Sequence, residues 1–541
     1  MRNNVAAIAF ALLACLALCS GPAPACTSIL VTKGASADGS VIITYAADAE
    51  FHPHLYFSPA ADYKFGEVFE IRGRDGQVRG TVSQVAHTYA VVGLMNEHQV
   101  AIGETTYGGR EELHDPDGLL NYGHLMILAL QRVRTAREAI GVITALAGEY
   151  GYSSSGESFS IADTQEAWIL DFIGKGPGRT GIVWVARRVP DGFVSVHANM
   201  SRIGSFPLDE PESCLYSEDV ISFAVKMGYY DPDSGEPFSF RDAYDPASPG
   251  GLRACATRVW RVLQLCAPSL DLSTDYHRGV PGAEPYPLWV EPDEPLSLSD
   301  VMGLMRDHYE GTEYDMTRGV DAGPFGTILR CRPLSWELDG VHYMWERPIA
   351  TQQSGFVFVS QSRSWLPDAV GGVFWYCVDD AYTSCFVPLY CGISEVPRSF
   401  TVGTLRRFSW DSAWWVFNFV ANLAYARYSD ISADIIAVQQ DIEGTFFALQ
   451  GAVERTAVEL GREDEGLMRR YLTDYSVGHG EQVVRRWIEL GEFLLTKYND
   501  GFVQDEDGRP QQPGYPSEWL RRVLEEKGEQ LALPNWGEES H

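Results

Sequence analysis

The chain has 541 residues, 45% of them hydrophobic and 12% aromatic, and a formal net charge of −31 at pH 7. This is globular composition, with length for about two or three domains. No basic patch offsets the acidity, which excludes a nucleic-acid partner.

At the start, Arg2, an apolar run over 5–18 and the small-x-small string Ala23-Pro24-Ala25 read as an export signal spanning residues 1–25, cleaved after Ala25. The expected location is secreted or periplasmic. A second reading takes Leu12-Leu13-Ala14-Cys15 as a lipoprotein box, which would lipidate Cys15 and leave Cys26 internal; the short apolar segment before Cys15 fits it less well. Cleavage after Ala25 makes Cys26 N-terminal, so one residue carries both a thiol and an α-amine. With an ordinary pKa near ~8, the amine can act as general base for its own side chain. The plainer alternative is a cysteine that merely follows a signal. Of ten cysteines, two lie within 1–25, and the others show no CxxC pair, so a structural zinc site is not expected. Past residue 25 no apolar run without polar breaks is long enough to span a bilayer.

β-Branched runs at 27–32 and 41–45 flank Asp38-Gly39 and predict a hairpin, with Asp48 just beyond it. A second hairpin is predicted from 87–93 and 99–105, turning at Asn96-Glu97-His98. Helices follow over 122–133 and from Thr135-Ala136-Arg137-Glu138, a capping-box pattern whose helix has Ala139, Ile140, Ile143 and Leu146 on its apolar face. Strands return at 158–162, 167–172, 181–188 and 193–199. Four strands, two helices and four strands depart from βα alternation and suit two packed antiparallel sheets covered by helices, an α+β fold. Further helices are predicted over 256–265 and 299–307, the latter capped by Ser299. Strands are predicted at 355–361, 372–377 and 384–389, then helices over 411–428, 433–449 and 481–498. The domain reading is 26–400 for the core and 401–541 for a helical extension.

Three polar residues stand at strand ends where a site around Cys26 would gather them. Asp48 is placed to accept from the Cys26 amine, Asn199 to donate to a tetrahedral oxyanion, and Thr105 to assist it. Asn199-Met200-Ser201 is also a glycosylation sequon, incompatible with an interior catalytic role. His52-Pro53-His54 lacks a third ligand nearby and reads as a loop. Gly174-Lys175-Gly176-Pro177-Gly178 lacks the Gly-Lys-Ser/Thr of a phosphate loop, and Asp505-Glu506-Asp507-Gly508 lacks EF-hand spacing.

The run Cys26-Thr27-Ser28-Ile29-Leu30-Val31 and then Ala35-Ser36-Ala37-Asp38-Gly39-Ser40 resembles the start of the dipeptidase A family of N-terminal-nucleophile (Ntn) cysteine peptidases. Met95-Asn96-Glu97, Gly103-Glu104-Thr105-Thr106, the run from Arg306 to Thr312, Trp365-Leu366-Pro367-Asp368, the run from Phe408 to Trp415, and Lys497-Tyr498-Asn499-Asp500-Gly501 continue the resemblance in order. It implies a four-layer αββα fold and dipeptide hydrolysis by an N-terminal cysteine, without metal or organic cofactor. In the wider pattern Arg-Asn-x-Asp follows the nucleophile; here the residues are Tyr45-Ala46-Ala47-Asp48, so the aspartate is kept and Tyr45 replaces the arginine. Asn199 matches the family's oxyanion asparagine by its place, and Arg258 a later active-site arginine. The partners expected are small peptides. A dipeptidase must recognise a charged amine, for which Glu104 and Glu97 are the nearest acidic residues in sequence. The alternatives are an N-acyl amide hydrolase of the bile-acid-conjugate or penicillin V type, and a non-catalytic surface lipoprotein.

Overall fold

The computed structural model describes residues 26–73 and 76–533; the expected signal over 1–25, and Cys15 with it, lies outside the described residues. In chain order the core elements are β1 (Ser28–Val31), β2 (Val41–Asp48), β3 (Ala101–Tyr107), α1 (Tyr122–Leu130), α2 (Ala136–Tyr150), β4 (Gly156–Ala162), β5 (Ala167–Gly174), β6 (Ile182–Arg188), β7 (Val194–His197), α3 (Thr257–Cys266), β8 (Ser354–Ser362), β9 (Val373–Val378), β10 (Val387–Tyr390), α4 (Ala413–Ala424), α5 (Tyr428–Glu463) and α6 (Glu465–Lys497).

Local sequence accounts for the joints. Between β1 and β2, Asp38 Oδ1 accepts the Ser40 N–H at 2.9 Å while Gly39 takes a left-handed φ of 82°, a turn that favours glycine. Thr135 caps α2 by accepting the Glu138 N–H at 3.2 Å. The Glu138 carboxylate, however, takes the Arg134 N–H at 2.7 Å, so the expected reciprocal box closes one residue early. The predicted stripe Ala139, Ile140, Ile143 and Leu146 is buried.

Two antiparallel sheets result. One runs β7-β1-β2-β8-β9-β10, with Trp289–Val290 beyond β7; the other runs β6-β5-β4-β3, with Cys214–Tyr216 beyond β6 and three two-residue strands beyond β3. β1 and β2 face β3 and β4; α1 and α2 pack on the second sheet, and α3, α4 and α6 on the first. All eight residues of β2 are buried, which explains why its sequence does not alternate: both faces are covered. The sheets approach closely at Gly103, where a Cβ would stand 3.0 Å from Thr44 O and 3.1 Å from Ser28 Oγ. Trp168 and Trp375 are fully buried, and α4 is tied to α6 by the stacked rings of Phe417 and Trp487, 4.8 Å apart. Full burial of one large apolar side chain is worth about 1.5–3 kcal/mol. Helices α4, α5 and α6 thus share one hydrophobic core with the sheets. No described helix is long and apolar enough to cross a membrane.

Several elements differ from expectation. The hairpin over 87–105 is broken into His87–Thr88, Val91–Val92, Met95–Asn96 and β3, because β3 pairs with the preceding strand only at Ala101↔Met95. The helix expected over 299–307 is Leu298–Leu304, and its cap is Ser297, which accepts the Asp300 N–H, not Ser299. α5 and α6 are far longer than predicted, and the helix Ser517–Leu531 and the hairpins Val68–Arg72/Val78–Ser83 and Ser335–Leu338/Val341–Met344 were not foreseen.

Candidate active site

Strand register brings the first residues together. β1 pairs with β7 at Ser28↔His197, and continuing that antiparallel register two residues past the ladder sets Cys26 opposite Asn199. Asn199 lies outside the strand predicted to contain it, at a left-handed φ of 57°. Its Oδ1 accepts the Cys26 N–H at 2.6 Å, and its Nδ2 donates to Thr106 O at 2.6 Å. The sequon asparagine is therefore bonded through both ends of its carboxamide.

Arg258, fully buried on α3, locks this arrangement. It donates to Cys26 O at 2.6 Å, Thr27 Oγ1 at 2.9 Å and Asn199 Oδ1 at 3.0 Å. The Asn199 oxygen thus receives two donors, one of them charged, which fixes the carboxamide's orientation.

The thiol lies on the other side of the residue. Cys26 is 1% exposed, with Sγ 3.7 Å from Glu104 Oε1 and 4.0 Å from Tyr45 Oη. Tyr45 donates a short hydrogen bond to the same Glu104 oxygen. Thr106 Oγ1 bridges the buried carboxyls of Glu104, at 3.4 Å, and Glu157, at 3.0 Å. Burial first, then the Glu104 and Asp48 charges, pushes the Cys26 thiol well above its ordinary value; the Asp48 backbone N–H and Arg347 oppose this less strongly. Glu104 is itself raised, chiefly by burial. A thiol so placed is protonated at neutral pH, so attack needs a base beside it.

Asp48 ends β2, and its carboxylate makes no hydrogen bond to the Cys26 nitrogen. Oδ1 accepts from Ser354 Oγ at 2.6 Å across the β2–β8 pair, and Oδ2 lies 4.0 Å from Arg347 Nη2. Burial raises Asp48 to about 6 against the pull of Arg347 and Ser354, while Arg347 is lowered to about 10, mainly by burial and the nearby Arg258 charge. Thr105 is turned elsewhere: its hydroxyl meets His197 Nδ1 at 2.7 Å, and His197 Nε2 meets Ser160 Oγ at 2.7 Å, a polar bridge between the sheets. Glu97 is not near Cys26. Its carboxylate takes the Ala90 N–H at 2.9 Å and pairs with Arg469 of α6 at 3.4 Å, tying a turn to the helical end.

The structure therefore gathers Cys26, Asn199, Arg258, Glu104 and Asp48, and places Thr105 and Glu97 in other contacts. Tyr45, Ser354, Glu157 and Arg347 join them without having been chosen from the sequence as site residues. Tyr45 carried a signal, since it breaks the family pattern; Arg347, 321 residues from Cys26, carried none. A cavity of about 630 Å³ borders the group, with Thr106, Asn199, Asp245, Arg258, Arg332 and Arg347 in its wall. His52 and His54 are spent on Ser412 Oγ and Gly403 O, and no cluster able to hold a metal ion occurs among the described residues.

The chain is similar to proteins named dipeptidase. It is 24% identical over 504 residues to a probable dipeptidase A of Streptococcus pyogenes, covering 87% of this chain and 98% of that one. It is 26% identical over 409 residues to a probable dipeptidase of Salmonella dublin (72% and 86% covered). A dipeptidase of Bifidobacterium longum is 24% identical over 485 residues (81% and 84%). The model of Peptidase family C69 matches residues 56–441, a span that begins after Cys26. With most of its length matched, the chain belongs to Peptidase family C69.

Proposed function

We propose that this chain is an exported cysteine dipeptidase, activated by removal of residues 1–25, with Cys26 as N-terminal nucleophile on a four-layer αββα Ntn scaffold. One observation carries the reading: the nitrogen of the same residue that bears the buried thiol is held at 2.6 Å by Asn199 Oδ1. Family membership and the relatives' names support the choice of dipeptides.

In this mechanism the α-amine takes the proton from Sγ as the sulfur attacks the peptide carbonyl and forms the S–C bond. The resulting ammonium returns the proton to the leaving nitrogen as the C–N bond breaks. Water, deprotonated by the same amine, then hydrolyses the thioester and frees the thiol and the first amino acid. Asn199 orients the amine as an acceptor, Arg258 holds the Cys26 carbonyl, and Glu104 faces the substrate's α-ammonium. The raised thiol is consistent with this scheme, which needs a base more than a preformed thiolate.

The test is a panel of free dipeptides, their N-acetyl forms, tripeptides, and glycine- or taurine-conjugated bile acids. The reading expects hydrolysis of free dipeptides and poor turnover of acetylated and extended ones. Preference for acylated compounds would make the protein an N-acyl amide hydrolase instead.

A further inference from the structure

The wall of the 630 Å³ cavity is cationic in a chain whose net charge is −31. Three arginines line it, against one carboxylate, Asp245, among the described residues. Asp245 is already committed inward, accepting the Gly109 N–H at 3.1 Å and the Ser201 N–H at 2.8 Å. Arg258 is committed to Cys26 and Asn199, and Arg347 lies beside Asp48. Arg332 differs: it is exposed, bonds to the neutral Gln353 side chain, and has no carboxylate within 4.0 Å among the described residues. Burial of part of the side chain lowers it, and the more distant Asp48 and Glu50 charges offset this only in part, which a directly bound anion would reverse. Around it the wall is apolar, with Pro333 and Leu334 just before the unforeseen hairpin and Met344 within it.

Resting on the dipeptidase reading, we infer that this cavity is the leaving-residue subsite and that Arg332 binds the free α-carboxylate of the substrate's second residue. A guanidinium fork matches a carboxylate in charge and geometry, and Arg347 behind it adds to the positive field. Asn199 and Arg258 touch both Cys26 and the cavity, so the cavity adjoins the residue that bears the proposed nucleophile, and the subsite sets the substrate's second residue there. The apolar wall accepts that residue's side chain.

The readout is the ratio of kcat/KM for a dipeptide to that for its C-terminal amide, in wild type, Arg332→Gln and Arg332→Lys. Wild type should favour the acid. Arg332→Gln should lower the ratio by about 10- to 100-fold, the worth of a hydrogen bond to a charged group, chiefly through KM, and Arg332→Lys should restore part of it. A purely structural role would lower both substrates equally and leave the ratio standing; that outcome, or a wild type indifferent to amidation, overturns the subsite. An enzyme that ignores free dipeptides but cleaves N-acyl amino acids fails the preceding reading instead, and the same acid-to-amide ratio on N-acylglycine then decides the subsite.

Discussion

Asn199 offers the sharpest perturbation, because its two ends do different work. Oδ1 accepts from the Cys26 nitrogen at 2.6 Å and from Arg258 at 3.0 Å; Nδ2 donates to Thr106 O at 2.6 Å. Asn199→Ala removes two hydrogen bonds between neutral groups and one from a buried guanidinium, a loss of about 2–6 kcal/mol of stability. Misplacement of the amine should lower kcat by about 10²–10³-fold. Asn199→Asp keeps the acceptor and loses the donor. It should therefore retain more activity than Asn199→Ala, and its anion should stabilise the α-ammonium and move the acid limb of the kcat profile upward by about 1 pH unit or more. Steady-state kinetics from pH 5 to 10, with a thermal melt of each variant, supply the comparison. If Asn199→Asp is no better than Asn199→Ala at any pH and its acid limb does not move, Asn199 acts as the oxyanion donor expected from the sequence and the orienting role is wrong.

Other expectations follow from particular contacts. Cys26→Ala should lose at least ~10³-fold in steady-state kcat for a free dipeptide, since no other group is placed to form the thioester. Gly103→Val should cost about 1–3 kcal/mol by forcing the sheets apart against Thr44 O and Ser28 Oγ, read as a lower Tm; an unchanged Tm would contradict that close approach. Glu97→Gln should weaken the tie to Arg469 by at most about 1 kcal/mol and spare kcat/KM for free dipeptides, whereas a tenfold loss would return Glu97 to the substrate. His197 is lowered to about 3 and His124 to about 4, both mainly by burial. Their contribution to stability is complete above the unfolded value near 6.5 and is lost as pH falls toward those folded values. The difference in denaturant midpoint between wild type and His197→Gln should therefore shift against wild type as pH falls from 6.5 to 4.

The proposed nucleophile, Cys26, was legible because a string that reads as a cleavage signal and a strand start meet at one cysteine. Asn199 was legible because paired strands place it, although its left-handed backbone put it beyond the ladder rather than in it. The partners of the first sheet were not: β2 pairs with β8, whose first residue, Ser354, lies more than 300 residues away, and nothing local in either strand names the other. For the same reason Arg347 went unseen. Thr105 was misjudged by one step of strand alternation, since Glu104, its neighbour, reaches the thiol while Thr105 turns to His197. The long helices α5 and α6 were underestimated because their polar stretches hide helical continuity that packing of one face supplies.

The central claim is that the α-amine of Cys26 is the general base. It is tested most directly by comparing kcat for one dipeptide between a chain whose N-terminus is Cys26, verified by intact mass, and a chain that retains Ala25. An amide nitrogen cannot accept the thiol proton at neutral pH, so kcat should fall at least ~10²-fold in the Ala25 form. Equal kcat in the two forms would contradict it and move the base to Glu104, 3.7 Å from the sulfur.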